Sequence, residues 1–292
     1  MLINGLSFRS GFNALAATNQ YESKYETKEA ITEAQHALNQ KIVEEGNVLL
    51  KNRNNALPLK GDDKKVTVFH SFFNPGDWSQ SEGYMVLSGG GSGNIWTGSS
   101  DCPDTETSHG CHTIYNGLND HGYDYNKAML NEYNKHGGFY DAKFCDMNGP
   151  KMNIVKGQES TFTDYNTAII TISRLETESI DNYTLTMDGD KIAYERDPAK
   201  PESHYLQIRD NEKELIEYAK SKFGKVVVLL NTAAPIEIDY LKTSENVDAV
   251  VWVGYPGESG LKDIPGVLDG TVNPSGRLVD TWAKDFSQDP TY

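Results

Sequence analysis

The sequence predicts an α/β fold, with an open, mainly parallel sheet of about five or six strands and helices on both faces. Two short runs, residues 226–230 and 249–253, consist almost wholly of apolar residues rich in valine. Such runs are typical of strands that are buried on both faces. Amphipathic helical patterns alternate with the strand patterns, and this alternation indicates a parallel sheet with helical crossovers. A chain of 292 residues is long enough to bury a sizeable core.

The first element is expected to be a helix that begins after Thr27, a favourable N-cap residue, with Glu29 in the first turn. Gly46 is expected to interrupt it. Apolar residues at helical spacing predict one buried stripe on this helix. The stripe comprises Ile31, Ala34, Leu38 and Ile42.

The following elements alternate along the chain. Strands are predicted at residues 66–69, 168–172, 226–230 and 249–253, and helices at 122–136, 210–223 and 259–268. Asp210 is expected to cap the second of these helices and Gly224 to end it. The last helix is expected to be distorted at Pro265.

The predicted domain organisation has two parts. Residues 1–26 are polar and irregular and predict an N-terminal arm or linker, and residues 27–292 predict the α/β-sandwich domain. Within that domain, residues 73–160 are Gly-rich and weakly patterned. They predict a long loop region, which is often where binding residues lie.

Composition and charge bear on the partners and on the compartment. The net charge of −15 argues against nucleic acid and against an anionic membrane surface, because both reward clusters of Lys and Arg. A run of about 18 apolar residues, which a membrane helix needs, is absent from the sequence. The first residues do not resemble a secretory signal, so a cytoplasmic location is expected unless the chain is a fragment.

The cysteines predict free thiols. Cys102, Cys111 and Cys145 are odd in number and form no CxxC motif. A zinc site from Cys102, His109, Cys111 and His112 is the alternative, but its spacing matches no standard pattern. We therefore expect no bound metal.

Residues 173–181 are the most informative segment of the chain. A predicted strand runs directly into this polar stretch, which carries Arg174 and the carboxylates of Glu176, Glu178 and Asp181. Ligands of open α/β sheets bind outside the carboxyl ends of the strands. These charged side chains are therefore better candidates for chemistry than for packing.

Four motifs occur in a fixed order along residues 40–285. They lie at residues 45–52 with 57–59, at 89–93, at 173–181, and at 255–260 followed by 267–270 and 273–278. In order and spacing they resemble the second domain of glycoside hydrolase family 3. The last motif, which begins Tyr-Pro-Gly-Glu-Ser-Gly, is long and specific.

The resemblance implies a retaining, exo-acting β-glycosidase. A β-glucosidase is the preferred type, followed by a xylosidase and then an exoglucanase. In this family a (β/α)8 barrel carries the aspartate nucleophile, and an α/β sandwich supplies the general acid/base glutamate. That glutamate corresponds to Glu178, although Thr177 and Ser179 stand where the family usually has glycines. Glu176 is the alternative, two residues away and on the other face of an extended segment. No metal or organic cofactor is implied.

The chemistry needs two carboxyl groups. Retaining hydrolysis places them about 5 Å apart, one to attack and one to protonate the leaving oxygen. Glu176 and Asp181 would raise the pKa of Glu178, whereas Arg174 would lower it, and the sequence leaves the balance open.

A barrel is missing from the pattern. The chain shows no eight-fold strand–helix alternation, and a barrel takes about 250 residues. We therefore expect the barrel domain of the same polypeptide to supply the nucleophile, and the isolated chain to be nearly inactive. Its place before or after this domain stays open.

Sugar-binding candidates lie mainly in the Gly-rich loop. Gly91, Ser92 and Asn94 are expected to line the site of the leaving-group sugar, and Trp96 to stack on a sugar face. Burial of Trp96, and of Trp78 near it, in the core is an equal alternative. Arg174 is a candidate to bind sugar or to orient a carboxylate, with a structural ion pair at least as well supported.

Purely structural roles are the alternatives for some of these residues and the expectation for others. Glu178 has the alternative of a solvated loop carboxylate. His70 is expected to be a satisfied core histidine, and residues 273–276 are expected to form a structural turn.

Two other functions compete with hydrolysis of a carbohydrate substrate. One is a non-catalytic carbohydrate-binding or scaffold module, and the weaker one is a nucleotide-binding domain.

Overall fold

The computed structural model describes residues 23–70, 85, 113–136, 152–174, 176, 186–188, 191–193 and 205–288. The chain forms two compact units, Met1–Leu38 and Asn39–Tyr292. In the first unit, the described residues comprise the N-terminal part of a helix, where the Ala30 amide donates to Thr27 Oγ1 at 3.1 Å. The expected cap at Thr27 is thus present, while the boundary after residue 26 stays a prediction.

The described residues form eight α-helices and eight strands. The helices are α1 (Lys28–Gly46), α2 (Ile114–Asp120), α3 (Lys127–His136), α4 (Met152–Gly157), α5 (Asp210–Lys222), α6 (Asp239–Thr243), α7 (Gly257–Gly260) and α8 (Ile264–Asp269). The strands are β1 (Val48–Asn52), β2 (Lys65–His70), β3 (Asp124–Tyr125), β4 (Thr167–Ser173), β5 (Thr186–Asp188), β6 (Lys191–Ala193), β7 (Lys225–Asn231) and β8 (Ala249–Trp252).

Six of the strands form one sheet in the order β1-β8-β7-β4-β2-β3. Four neighbouring pairs are parallel, and only β1 runs antiparallel to its neighbour β8. Strands β5 and β6 form a separate antiparallel pair. The predicted fold class, an open and mainly parallel sheet with helices, is confirmed.

The centre of the sheet is covered on both faces. All seven residues of β4 are buried, and successive side chains of a strand point to opposite faces. Phe69, Phe162 and Phe223 pack together beside it, with ring centroids 5.3–5.7 Å apart. The four predicted strands match β2, β4, β7 and β8 because their apolar runs are this core.

The apolar stripe predicted for α1 is wrong at Leu38 and Ile42, which are each 59% exposed. The neighbouring Val43 is buried instead. A methyl group added at Gly260 would lie 2.4 Å from Val43 Cγ2, so the two elements approach closely. The Asn39 side chain also donates to the Pro256 carbonyl at 3.0 Å. The C-terminal part of α1 therefore packs through a face rotated by one residue from the predicted stripe.

The helix predicted at 122–136 is shorter than expected and has a helix before it. Gly122 adopts a positive φ of 67° and ends the turn that follows α2. The short strand β3 comes next, so the second helix, α3, begins only at Lys127. Helix α2 begins at a capping box between Thr113 and Asn116, which the sequence prediction missed.

Two other boundaries differ slightly from prediction. Helix α5 has Arg209, not Asp210, as its N-cap residue. The predicted helix at 259–268 is divided into α7, a 3₁₀ turn at Leu261–Asp263, and α8. Pro265 lies in the first turn of α8, where its missing N–H costs no hydrogen bond.

His70 is a core histidine with both ring nitrogens satisfied. Its Nδ1 lies 2.9 Å from Thr171 Oγ1 and its Nε2 lies 2.8 Å from the Tyr115 hydroxyl. Burial lowers the pKa of His70 to about 3. The imidazole is therefore neutral in the folded protein at any pH above that value.

The neutral imidazole predicts that the fold loses stability in mild acid. The unfolded chain binds a proton on this histidine below its ordinary pKa of about 6.5, while the folded chain does not. Stability is therefore lost as the pH falls below about 6.5, by about 2 kcal/mol at pH 5. Urea unfolding at pH 7.5 and pH 5 should show this extra loss for the wild type relative to His70→Gln. Equal losses in both proteins, or protonation of His70 by NMR near pH 6, would contradict the prediction.

Candidate functional site

The carboxyl ends of β4, β7 and β8 meet at one edge of the sheet. Ser173, the last residue of β4, is paired with Asn231, the last residue of β7. The Ser173 hydroxyl donates to Asn231 Oδ1 at 2.9 Å, and Asn231 Nδ2 donates to the Gly254 carbonyl at 2.7 Å. Polar side chains therefore connect the ends of all three strands, at the edge where the sequence predicts a site.

Arg174 leaves this edge and is fully buried. A guanidinium has five N–H donors, and each has an acceptor here. Nε donates to the Tyr205 carbonyl at 2.8 Å; Nη1 donates to the Ser173 carbonyl at 3.0 Å and to Glu212 Oε1 at 2.7 Å. Nη2 donates to the Gln207 carbonyl at 2.6 Å and to Glu212 Oε2 at 2.8 Å.

The Arg174–Glu212 ion pair is bidentate, and both side chains are fully buried. Burial opposes the charge of Glu212, but the Arg174 guanidinium outweighs it and holds the pKa of Glu212 below its ordinary value. Glu212 also accepts the Arg209 amide at 2.9 Å at the start of α5. The pair therefore joins the end of β4 to residues 205–212. This geometry favours the ion-pair alternative for Arg174, because sugar binding would require one of its N–H groups to leave an acceptor.

Glu176 connects the segment after β4 to the loop after β7. Its carboxylate oxygens accept the amides of Ala233 at 3.3 Å and Ala234 at 3.2 Å. Its own amide donates to the Tyr255 hydroxyl at 2.8 Å, and that hydroxyl donates to the Arg174 carbonyl at 2.8 Å. We call these four hydrogen bonds the Glu176 clamp.

The Glu176 carboxyl has an altered acidity. Burial raises its pKa to about 7, although the amides of Ala234 and Ala233 and the charge of Arg174 lower it. A carboxyl that exchanges a proton near neutral pH is typical of functional sites. Chemically, it can act in proton transfer or as a pH-sensitive anchor.

Two tryptophans lie beside this loop. Trp252 Nε1 donates to the Thr232 carbonyl at 2.8 Å. Its ring meets that of Trp282 edge to face, with centroids 6.2 Å apart. Both rings are partly buried. The loop that contributes the Ala233 and Ala234 amides is therefore hydrogen-bonded, through Thr232, to a packed pair of tryptophans.

Several predicted residues lie outside the described part of the chain. These are Glu178, Gly91, Ser92, Asn94 and Trp96, together with Trp78, Asp181 and the cysteines and histidines of the alternative zinc site. Their predicted roles stay predictions. Among the residues that the structure describes, no group of three or more His, Cys, Asp or Glu side chains is arranged to hold a metal ion. Likewise, within the described ranges no helix combines the length and apolarity of a membrane span.

Glu212 and Tyr255 were not predicted from the sequence to be parts of this edge. Glu212 had one usable signal, since a glutamate three residues after an N-cap residue often accepts the amide of that residue. Placing the cap at Asp210 instead of Arg209 hid this signal. Tyr255 begins the last motif, but its hydroxyl contacts residues about 80 positions earlier.

The six-stranded, mainly parallel sheet and the helices packed against it define an α/β-sandwich domain. The family model described as "Glycosyl hydrolase family 3 C-terminal domain" matches residues 47–292. The chain therefore belongs to glycosyl hydrolase family 3, as this C-terminal domain.

The comparisons with individual proteins agree with this membership. The chain is 25% identical over 263 residues to a β-glucosidase A from Butyrivibrio fibrisolvens, covering 85% of this chain and 28% of that protein. A shorter match, 38% identical over 66 residues, links it to a β-xylosidase/α-L-arabinofuranosidase 1 from Medicago sativa subsp. varia. It covers 23% of this chain and 8% of that protein.

Solved structures show the same fold. β-Glucosidase 3B from Thermotoga neapolitana in complex with α-D-glucose superposes with a TM-score of 0.64 at 24% identity. The match covers 94% of this chain and 34% of that one. The chain thus spans about a third or less of the relatives it matches.

Proposed function

We propose that this chain is the acid/base domain of a retaining, exo-acting β-glycosidase of β-glucosidase type. In this proposal Glu178 is the general acid/base, and a barrel domain of the same polypeptide supplies the aspartate nucleophile. The observation that carries the proposal is the Glu176 clamp. The clamp anchors Glu176 to the carboxyl edge of the sheet. Glu178 follows two residues later in the chain. Family membership and the names of the relatives support the reaction type.

The proposed reaction has two steps. In the first, the aspartate attacks the anomeric carbon while Glu178 donates its proton to the departing glycosidic oxygen. In the second, the ionised Glu178 takes a proton from water, and that water releases the sugar from the aspartate. Each step needs the Glu178 carboxyl within hydrogen-bond reach of the oxygen it serves.

The proposed substrate is a neutral carbohydrate with a terminal β-linked sugar. Gly91, Ser92 and Asn94 are proposed to line the side of the leaving group, with Trp96 stacked on a sugar face. Arg174 is assigned a different role from these residues. Its five N–H donors are already engaged, so we propose that it stabilises the start of the segment that carries Glu178 through its hydrogen bonds and its ion pair with Glu212.

Azide rescue tests the proposed role of Glu178. The protein is the enzyme that contains both this domain and the proposed barrel domain, and the variant is Glu178→Ala. On an aryl β-glucoside with a good leaving group, turnover should fall on the order of 10²–10⁴-fold, because the second step loses its base. Azide, a nucleophile that needs no base, should restore turnover and yield a β-glycosyl azide.

The matched control is Glu217→Ala, which removes an exposed glutamate from α5 and should leave turnover unchanged. Near-normal turnover of Glu178→Ala without azide would reject its catalytic role. In that case Glu176→Ala would be tested for azide rescue. Failure of both variants to affect turnover would leave a binding or scaffold module.

A further inference from the structure

We propose that Glu176 is a positioning residue: its carboxylate clips the segment after β4 to the loop after β7 and so sets where the Glu178 segment begins. This inference rests on the proposed function for its catalytic consequence. The clamp itself is a property of the described residues and can be tested without any activity.

The clamp holds its segment from two sides. On one side, two backbone amides of the loop after β7 donate to the Glu176 carboxylate. On the other, the Tyr255 hydroxyl accepts the Glu176 amide and donates to the Arg174 carbonyl. Arg174 itself is tied to α5 through Glu212. Residues 174 and 176 are therefore fixed relative to β7, β8 and α5, and the chain that leaves residue 176 has a defined starting point.

The geometry argues against Glu176 as the proton donor itself. A general acid must direct its O–H at the glycosidic oxygen. Both Glu176 oxygens already face the amides of Ala233 and Ala234. A carboxylate that accepts two backbone amides is arranged as an anchor for that loop.

The energetics argue against a purely structural anchor. Burial raises the pKa of Glu176 to about 7. A carboxyl whose pKa is raised on folding contributes stability that is full below its ordinary pKa and is lost as the pH rises through the folded value. Above pH 7 the ionised Glu176 therefore lowers stability, yet that form accepts the two amides most strongly. Such a trade of stability for a fixed geometry is typical of active sites.

The charged and titratable groups that face Glu176 are few among the described residues. Arg174 at the end of β4 favours the ionised form. Its charge is shared with Glu212 of α5. From the loop after β8 comes the Tyr255 hydroxyl, and from the loop after β7 only backbone amides. The ionisation of the clamp is thus governed mainly by burial.

The first experiment measures the clamp directly in this chain. The amide resonances of Ala233 and Ala234 are followed by ¹⁵N NMR between pH 5 and pH 9. Both are expected to shift with one apparent pKa near 7, because ionisation of Glu176 strengthens the hydrogen bonds they donate. Glu176→Gln should abolish this titration.

A matched control separates the clamp from any nearby carboxylate. Glu237 also accepts a backbone amide, that of Phe286, at 3.1 Å. Glu237→Gln should therefore leave the titration of Ala233 and Ala234 intact. Absence of a titration in the wild-type chain, or its persistence in Glu176→Gln, would overturn the proposal.

The second experiment measures the catalytic consequence in the enzyme with both domains. Glu176→Ala is expected to lower kcat roughly 10–100-fold, since small misplacement of a catalytic group costs about that much. Azide should not restore it, because the ionised Glu178 carboxylate still occupies the site that azide would enter and repels this anion. Glu176→Gln, whose amide oxygen accepts one of the two backbone amides, should recover part of the lost kcat. The wild-type enzyme is expected to show a limb near pH 7 in its pH profile from ionisation of Glu176, and Glu176→Gln should lack that limb.

The outcomes distinguish this inference from the proposed function. Azide rescue of Glu178→Ala together with normal activity of Glu176→Ala overturns the positioning role alone. Azide rescue of Glu176→Ala makes Glu176 the acid/base and overturns it as well. Near-normal activity of Glu178→Ala without azide overturns the proposed function, while the NMR titration still supports or rejects the clamp.

Discussion

Arg174→Met is expected to lower the free energy of unfolding by about 3–5 kcal/mol, the usual cost of removing one partner of a buried ion pair. The variant leaves the Glu212 carboxylate buried without its bidentate partner. It also removes the donors that serve the carbonyls of Ser173, Tyr205 and Gln207. Urea unfolding of the wild type and the variant at pH 7.5 gives the difference.

A double variant and a surface control test the explanation. Arg174→Met with Glu212→Leu should be more stable than Arg174→Met alone, because it removes the uncompensated charge. Lys213→Met breaks the exposed pair with Asp210 on the same helix and should cost less than about 1 kcal/mol. A loss at Arg174→Met as small as that of the surface control would show that the pair is not buried as described.

Gly276→Ala is expected to destabilise the fold by about 3 kcal/mol, at the upper end of the cost of overpacking. A methyl group there would lie 2.3 Å from the Gly46 carbonyl oxygen and 2.7 Å from that of Asn47. Both are backbone atoms, so no side-chain rotation relieves the clash. The Gly276 amide also donates to the Asn47 carbonyl at 3.1 Å, so the backbone must stay this close.

Gly157→Ala is the matched control for this prediction. No atom lies within 4 Å of the position that its methyl group would occupy. It should be neutral or stabilise the protein slightly, because alanine has less conformational freedom to lose in the helix that Gly157 ends. Thermal unfolding of the three proteins at one concentration provides the comparison. A Gly276→Ala protein as stable as the Gly157→Ala protein would contradict the close approach.

The role of residues 273–276 shows how sequence and structure combine. Residues 273–276 were predicted to form a structural turn, but no turn is assigned there; Ser275 and Gly276 instead make long-range hydrogen bonds to the carbonyls of Glu45 and Asn47. The reason that a glycine is needed could not be predicted from the local sequence. It lies in the backbone of residues 46 and 47, about 230 positions away in the chain.

The fold was predictable where burial is nearly complete. The runs that became β4 and β7 are mostly apolar because both faces of each strand are covered. Helix boundaries were less predictable, because they depend on single backbone features such as the positive φ of Gly122. The buried side of α1 depends on its contacts with Pro256 and Gly260, which no local pattern encodes.

The sequence by itself determined the mainly parallel α/β sheet, the family and the polar segment after residue 172 that carries Arg174, Glu176 and Glu178. The tertiary structure alone decided how two of these residues are used. Arg174 finds Glu212, 38 positions away, because α5 begins beside the end of β4. Glu176 finds the amides of Ala233 and Ala234 because β4 and β7 are neighbours in the sheet. Backbone amides occur at every residue except proline, so an anchor built on them leaves no mark in the sequence until the strands are paired.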